Sequence, residues 1–504
     1  MKKILISLIA LTIMGTISCK KFLEEEPFDF LTPGNFPASA SDADVALNGA
    51  YQSLAGTEFS GSINNTFQGY GAIYTCELND LVHDGFTSNY RNTSYAQAFS
   101  EAMWKTMFTG INSCNNLISS LEKINGETWA TTKIAEAKAL RALFYFYLVR
   151  WYGDLPLVIT PTTSGTINNP RSSVEDVYKQ IISDLKFAED KLPDAVNDGK
   201  FKNGSVKALL AQVYITRAGF HRDSKTGTKV AGDQTMWALA RDKAKEVIES
   251  GTYTLESDYT DIFKKSAMDI SCNEVILDIQ YSTNSPCNFP YATGPEAYGS
   301  PGPIGGGKNW VDKINIEWLR RINPNDKRKA WNISDYMVLD NSWVRVPQSD
   351  SNRNILTVYP KWPEGDDSHR FYWDNYLYNW NILRLGEIKL LFAEAANEVA
   401  GPTSEAYSQL NEIRARAGLT PLNGLTKDQF RNAIMEERAL ELLGEGIRYF
   451  DLQRWGNWKE KIDANKLQSA WRNSNGAGVD EKWLLWPVPL RDVDANGWYQ
   501  NKGW

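Results

Sequence analysis

The chain has 504 residues, with 54 Lys and Arg against 61 Asp and Glu for a net charge of −7, and 42% of its residues are hydrophobic. That length and apolar fraction supply a sizeable core, which excludes an intrinsically disordered chain. Lys and Arg are scattered rather than run together, which argues against nucleic acid and other acidic polymers as partners.

Lys2 and Lys3 precede an apolar run from Ile4 to Ile17 and then Ser18-Cys19, the charged, apolar and small-residue order of a secretory signal. The run is too short to span a bilayer. Thr16-Ile17-Ser18-Cys19 resembles the lipobox of bacterial lipoproteins, with Thr16 where Leu, Val or Ile is usual, and makes Cys19 the expected lipidation site. Residues 1–18 then read as a signal peptide. Residues 19–36 read as a lipidated tether, acidic through Glu24, Glu25 and Glu26 and broken by Pro27. The remaining cysteines, Cys76, Cys114, Cys272 and Cys287, allow three pairings, but a chain this long needs no staples, so free or buried thiols are expected. No C-x-x-C spacing points to zinc.

Helical periods come next. His83 beside Asp80 and Asp84 reads as a solvated turn rather than a metal site, since no second His is near. Gly85-Phe86-Thr87-Ser88-Asn89-Tyr90-Arg91-Asn92 is a polar, ring-bearing loop between helices. Over 129–152 the residues Leu140, Leu143, Phe144, Tyr147, Leu148 and Trp151 place apolar groups almost all round, which predicts a central helix ended by Gly153 and Pro156. Val174, Val177, Ile181, Leu185 and Ala188 predict an amphipathic helix behind a capping box, Ser172-x-x-Glu175. Val206, Leu209, Leu210 and Val213 behind Ser205, and Trp237, Ala240, Ala244 and Val247 before Gly251, predict a helical hairpin. A short strand is expected at Glu274–Ile279.

The tryptophans are uneven: seven of the 18 lie between Trp310 and Trp380, in a stretch rich in Pro, Gly, Asn and Asp with little helical period. Residues 281–381 therefore read as a loop-rich, aromatic-rich insertion. Rings in loops can stack on the apolar faces of sugars while Asn, Asp and Arg bond the hydroxyls. Two segments have that character, 85–92 and the run from Asn288 through Phe289, Tyr291 and Tyr298 to Trp310. Gly302-x-x-x-x-Gly307-Lys308-Asn309 has Asn where a phosphate loop needs Ser or Thr, and no strand precedes it, so it reads as a surface loop. There is no Gly-x-Ser-x-Gly elbow, and spacing alone selects no carboxylate pair for glycoside hydrolysis.

After the insertion, Ile388, Leu391, Phe392 and Ala395 predict one helix, Ala406, Leu410, Ile413 and Ala417 a second, and Thr426-x-x-Gln429 caps a third. Small Ala residues at facing positions let paired helices approach, and the pair length fits a degenerate tetratricopeptide-like unit. Glu437, Arg438, Glu441, Glu445, Arg448, Asp451 and Arg454 alternate charge at helical spacing, more in keeping with locks between helices than with an acid-base site. The expected fold is mainly α: tetratricopeptide-like helix pairs over 37–280 and 382–504 as a scaffold, with 281–381 as the ligand-binding insertion.

Several strings together resemble the SusD/RagB family of Bacteroidetes outer-membrane nutrient-binding lipoproteins. They are Cys19-Lys20-Lys21-Phe22-Leu23-Glu24-Glu25-Glu26-Pro27, Ala139–Leu148 leading into Tyr152-Gly153-Asp154-Leu155-Pro156, and Leu383-Arg384-Leu385-Gly386-Glu387 with Ala393-Glu394-Ala395. Asn411–Gly418, Glu437-Arg438-x-x-Glu441 and Gly446-x-Arg448-x-x-Asp451-Leu452-x-Arg454-Trp455-Gly456 follow. The ending Trp486-Pro487-Val488-Pro489 and Gln500-Asn501-Lys502-Gly503-Trp504 is similar to the family's, with Lys502 and Trp504 as substitutions. The resemblance implies a non-catalytic surface lipoprotein of the outer membrane, with no cofactor; no residue is assigned to a metal. Such a protein binds an oligosaccharide and acts as a lid on a SusC-like TonB-dependent transporter. Loop position and residue type carry the binding role to Phe86, Asn89, Tyr90, Arg91, Tyr291, Tyr298 and Trp310. The alternative is a RagB-like lid that captures peptides for a peptide transporter. A glycoside hydrolase and a plain helical scaffold are the remaining readings.

Overall fold

The computed structural model describes residues 36–55, 80–83, 93–124, 126–163, 169–267, 272–280, 297–298, 313–334, 336–339, 342–345, 357–358, 379–464 and 480–504. Apolar residues at three- and four-residue spacing form successive helices: α1 (Ala40–Ala55), α2 (Thr93–Leu121), α3 (Thr128–Tyr152), α4 (Val174–Lys191), α5 (Asn203–Ala218) and α6 (Met236–Glu249). Each packs on the helix before it, the arrangement expected of tetratricopeptide-like pairs. Helix α3 is the centre of this stack, with Leu140, Phe144, Tyr145 and Phe146 fully buried. Its approach to α2 is close: a Cβ on Gly110 would stand 2.3 Å from the Phe144 ring. Buried Arg141 adds a polar tie, donating to both oxygens of Asp184 on α4 at 2.8 Å and to Asn115 Oδ1 on α2 at 2.7 Å.

One helix end agrees with the sequence reading and two helix starts depart from it by one and three residues. Helix α3 stops at Gly153, whose φ of 70° favours glycine. The cap of α4 is Ser173, whose Oγ accepts from Asp176 N at 3.2 Å; Ser172 is held extended in strand β3 (Arg171–Ser172), paired with β2 (Leu155–Pro156). Ser205 is not a cap either. It occupies the third position of α5, where its Oγ accepts from Lys202 N at 2.8 Å. A small hairpin, β4 (His221–Arg222) and β5 (Lys229–Val230), follows α5, and Gly251, with φ 68°, follows the end of α6.

After α7 (Asp261–Ala267), strand β6 (Val275–Ile279) carries the chain into the insertion, and β13 (Trp380–Arg384) brings it back antiparallel to β6. Both strands are buried, so the two ends of the insertion are clamped side by side in the core. The insertion contributes α8 (Ile316–Leu319), α9 (Arg328–Asn332) and short strands. Helix α10 (Leu385–Ala400) then packs on α6, joining the N-terminal stack to α11 (Ser404–Arg416) and α12 (Lys427–Glu441). The predicted box at the start of α12 is present: Gln429 N donates to Thr426 Oγ1 at 3.3 Å, and Thr426 N to Gln429 Oε1 at 3.0 Å. Helices α13 (Arg448–Trp455), α14 (Trp458–Ala464) and α15 (Leu490–Asn496) complete the described chain. The fold is mainly α.

The C-terminal residues close back on α3. Asn501 Nδ2 donates to the carbonyls of Tyr152 at 2.9 Å and Trp486 at 2.6 Å, while its Oδ1 accepts from Arg171 at 2.6 Å. The Tyr499 hydroxyl donates to the Asp154 carboxylate, and Trp486 N to Trp151 O at 2.7 Å. No helix among the described residues is long and apolar enough to cross a membrane.

Candidate functional site

The alternating charges of the C-terminal helices are buried and satisfy one another. Arg384 donates to Glu445 at 2.7 Å, to Glu441 at 2.6 Å and to Glu274, at the foot of β6, at 3.0 Å. Arg416 bridges Glu274 and Glu441, and Arg328 bridges Asp326, Glu437 and Glu441. Burial pushes the Glu441 carboxyl up, but Arg416, Arg384 and Arg328 outweigh it and leave its pKa well below the ordinary Glu value. A second group joins Arg438 to Asp451 at 2.7 Å and Arg454 to Glu394 and Asp451. An acid held ionised and fully bonded has no proton to lend at neutral pH. These groups lock helices together, as the sequence reading expected, and hold the insertion's ends to the scaffold.

A second feature pairs described residues that lie close in sequence to the two predicted ring-bearing segments. Strand β1 (Val82–His83) pairs antiparallel with β8 (Lys313–Ile314), with His83 opposite Lys313. Phe86 follows His83 by three positions and Trp310 precedes Lys313 by three. One cross-strand pair therefore joins the residues just before the first segment to those just after the second. Strands β12 (Thr357–Val358) and β9 (Ile333–Ser334) extend this sheet in the order β1-β8-β12-β9. A separate sheet joins the hairpin of β10 (Tyr336–Leu339) and β11 (Ser342–Arg345) to β7 (Ala297–Tyr298).

Strands β1 and β8 are fastened below. Asn315 N donates to Leu81 O at 2.7 Å and its Nδ2 to Asp80 O at 3.1 Å. Arg448, at the start of α13, grips the Asp80 carboxylate with Nε at 2.8 Å and Nη2 at 2.9 Å and donates Nη1 to Met435 O at 2.9 Å. Burial pushes Asp80 up, and Arg448 pulls it further down, so it stays ionised. The solvated turn expected around Asp80 is thus corrected. Its carboxylate is drawn in because a buried guanidinium needs a counter-charge.

Comparison with known proteins decides the family. Residues 278–504 match the profile of the SusD family, and residues 21–215 match a second, SusD-like profile described as starch-binding, associating with the outer membrane. The chain belongs to the SusD-like family. It is similar to SusD-like protein P25 of Formosa agariphila, 25% identical with 96% of this chain and 95% of that protein covered. A crystal structure of a SusD homolog from Bacteroides thetaiotaomicron superposes with a TM-score of 0.77 at 25% identity, covering 94% of this chain and 98% of that one. Surface glycan-binding protein A from Bacteroides thetaiotaomicron, in complex with laminarihexaose, shares the fold at 20% identity and a TM-score of 0.68, over 92% of this chain and 99% of that one.

In this SusD-like chain several of the described strings that carried the resemblance meet in space, in two groups. Arg384, Glu394, Arg416, Arg438, Glu441 and Arg454 form the buried ion groups, and Tyr152 and Asp154 receive Asn501 and Tyr499. Of the expected binding residues, Phe86, Asn89, Tyr90, Arg91, Tyr291 and Trp310 lie outside the described residues, as does Cys19. Tyr298 lies in β7, opposite Leu339 of β10. The Asp80–Arg448 clasp and Asn315 escaped the sequence reading. Among the described residues no group of three or more His, Cys, Asp or Glu is placed to hold a metal ion. Cys114 and Cys272 are free thiols, each pushed by burial up to about 12; Cys76 and Cys287 lie outside the described residues.

Proposed function

We propose that this chain is a non-catalytic surface lipoprotein, anchored through Cys19, that binds an oligosaccharide and delivers it to a SusC-like TonB-dependent outer-membrane transporter. The observation that supports the reading is the β1–β8 pair, which joins the residues flanking two aromatic, polar segments of the sequence. Relatives support it. The structural neighbours include a laminarin-binding SusD-like protein and a surface glycan-binding protein holding laminarihexaose. Phe86, Tyr90, Tyr291, Tyr298 and Trp310 would stack on sugar rings, with Asn89 and Arg91 bonding hydroxyls.

Affinity electrophoresis and calorimetry across a panel of neutral and charged glycans test it. Binding to at least one glycan is expected, weakened at least tenfold by Tyr90→Ala or Trp310→Ala with the melting temperature unchanged. A chain that binds no glycan but binds peptides would instead be a RagB-like peptide lid. Release of product from any glycan would make it an enzyme.

A further inference from the structure

The scaffold pairs its buried guanidiniums with carboxylates: Arg141, Arg328, Arg384, Arg438, Arg448 and Arg454 each have one within 3.0 Å. Arg150, in the last turn of α3, is only partly buried and is held differently. Its guanidinium carbon lies 3.8 Å from the centre of the Phe146 ring and 4.0 Å from that of Phe450, with Tyr147 at 4.7 Å. Nε donates to Phe146 O at 3.1 Å, and the group also bonds the Tyr147 phenol. It forms no ion pair with a described carboxylate, and burial pulls its pKa below the ordinary arginine value without taking its charge. Rings stacked on its faces leave only its in-plane edge for further donation.

Arg150 lines a cavity of about 60 Å³ where α3, α5 and α13 end beside the turn at Glu481–Leu484. Arg217, Arg222 and Lys459 also line it, but each has its own acid, Glu175, Glu481 and Asp463. Lys229, at the rim, donates to Gly456 O at 3.1 Å and forms no ion pair with a described carboxylate. The helix-end carbonyls take one donor each from Arg150 and Lys229, and they carry no formal charge. Two cations without an ion pair thus stand at a cavity walled by Tyr178, Phe450 and Trp458: Arg150, on which Glu387 acts only from beyond ion-pair distance, and the exposed Lys229.

We infer that this cavity binds a small oxyanion, a sulfate or a carboxylate group, on the in-plane edge of Arg150 with Lys229 closing the rim. The site is built from the helical scaffold, not from the ring-bearing segments, so it stands or falls apart from the proposed glycan site. Calorimetric titration of the full chain with sodium sulfate and, separately, sodium glucuronate, at ionic strength held with sodium chloride, tests it. Saturable one-to-one binding of one or both salts is expected, and the arm that responds identifies the oxyanion. Arg150→Met, which keeps the apolar stem between the rings, should weaken binding about tenfold or more, as loss of a charge-assisted hydrogen bond implies. Lys229→Gln, at an exposed position that cannot unfold the core, should weaken it about threefold. Absence of saturable binding to either salt overturns the inference, as does binding that Lys229→Gln and a folded Arg150→Met both leave unchanged.

Discussion

Gly386 shows how little room the buried charges leave. A Cβ there would stand 2.5 Å from Arg384 Nη1, 2.9 Å from Glu274 Oε1 and 3.0 Å from Glu441 Oε1, and none of these side chains has solvent to retreat into. Gly386→Ala is therefore expected to destabilise by about 2–3 kcal/mol, read as a lower urea midpoint. The same carboxylates set the response to acid. Glu441, Asp451 and Asp80 are depressed in the folded state, so their contribution is complete above the ordinary Asp and Glu values and drains away as pH falls below them. Glu387 has the opposite sign, since burial raises it, and it offsets part of the slope. Unfolding free energy should be level near neutrality and fall below about pH 4.5. Glu441→Gln should cost about 3–5 kcal/mol at pH 7 and progressively less towards pH 3, measured by urea titration at each pH. The charges and their helical spacing were readable from the sequence. Asp80 was not, because its partner lies 368 positions away and no local pattern links them.

Helix starts separate what is local from what is not. The box at Thr426 was legible because both of its bonds span three residues. Ser172 was misread because a strand pair formed across the chain holds it extended and passes the cap to Ser173. Ser173→Ala should cost about 1 kcal/mol and Ser172→Ala less than half of that, compared by thermal melts of the two variants. Helix α2 went unread, although Met107, Ile111, Cys114, Ile118 and Leu121 bury one face at spacings of three and four. That period would have found it. The strand expected at Glu274–Ile279 was found as β6, since the β-branched and aliphatic run Val275-Ile276-Leu277 with Ile279 is a local signal.

At the scale of the molecule, the described scaffold joins residues far apart in sequence, and the proposed ligand site would depend on that placement. The Asp80–Arg448 clasp fastens the β1–β8 pair to α13. Arg448→Met would leave Asp80 buried without its counter-charge, at a cost of about 3–5 kcal/mol, and should weaken glycan binding more than the exposed change Lys179→Gln does. Calorimetry alongside a melt of each variant would show it; equal affinity in a folded Arg448→Met would detach the clasp from ligand capture. The fold class followed from periodicity and composition. Which ligand fits did not, because selectivity rests on loop geometry that residue types do not specify.

Asn501 meets the carbonyl of Tyr152, 349 positions earlier, and Arg171 reaches across to it as well. The central helix is thus completed by residues that a ribosome adds hundreds of peptide bonds later. A chain cut short of that point would leave the Tyr152 carbonyl and the Arg171 guanidinium without this partner, so a loss at the last residues would be felt at the end of the central helix.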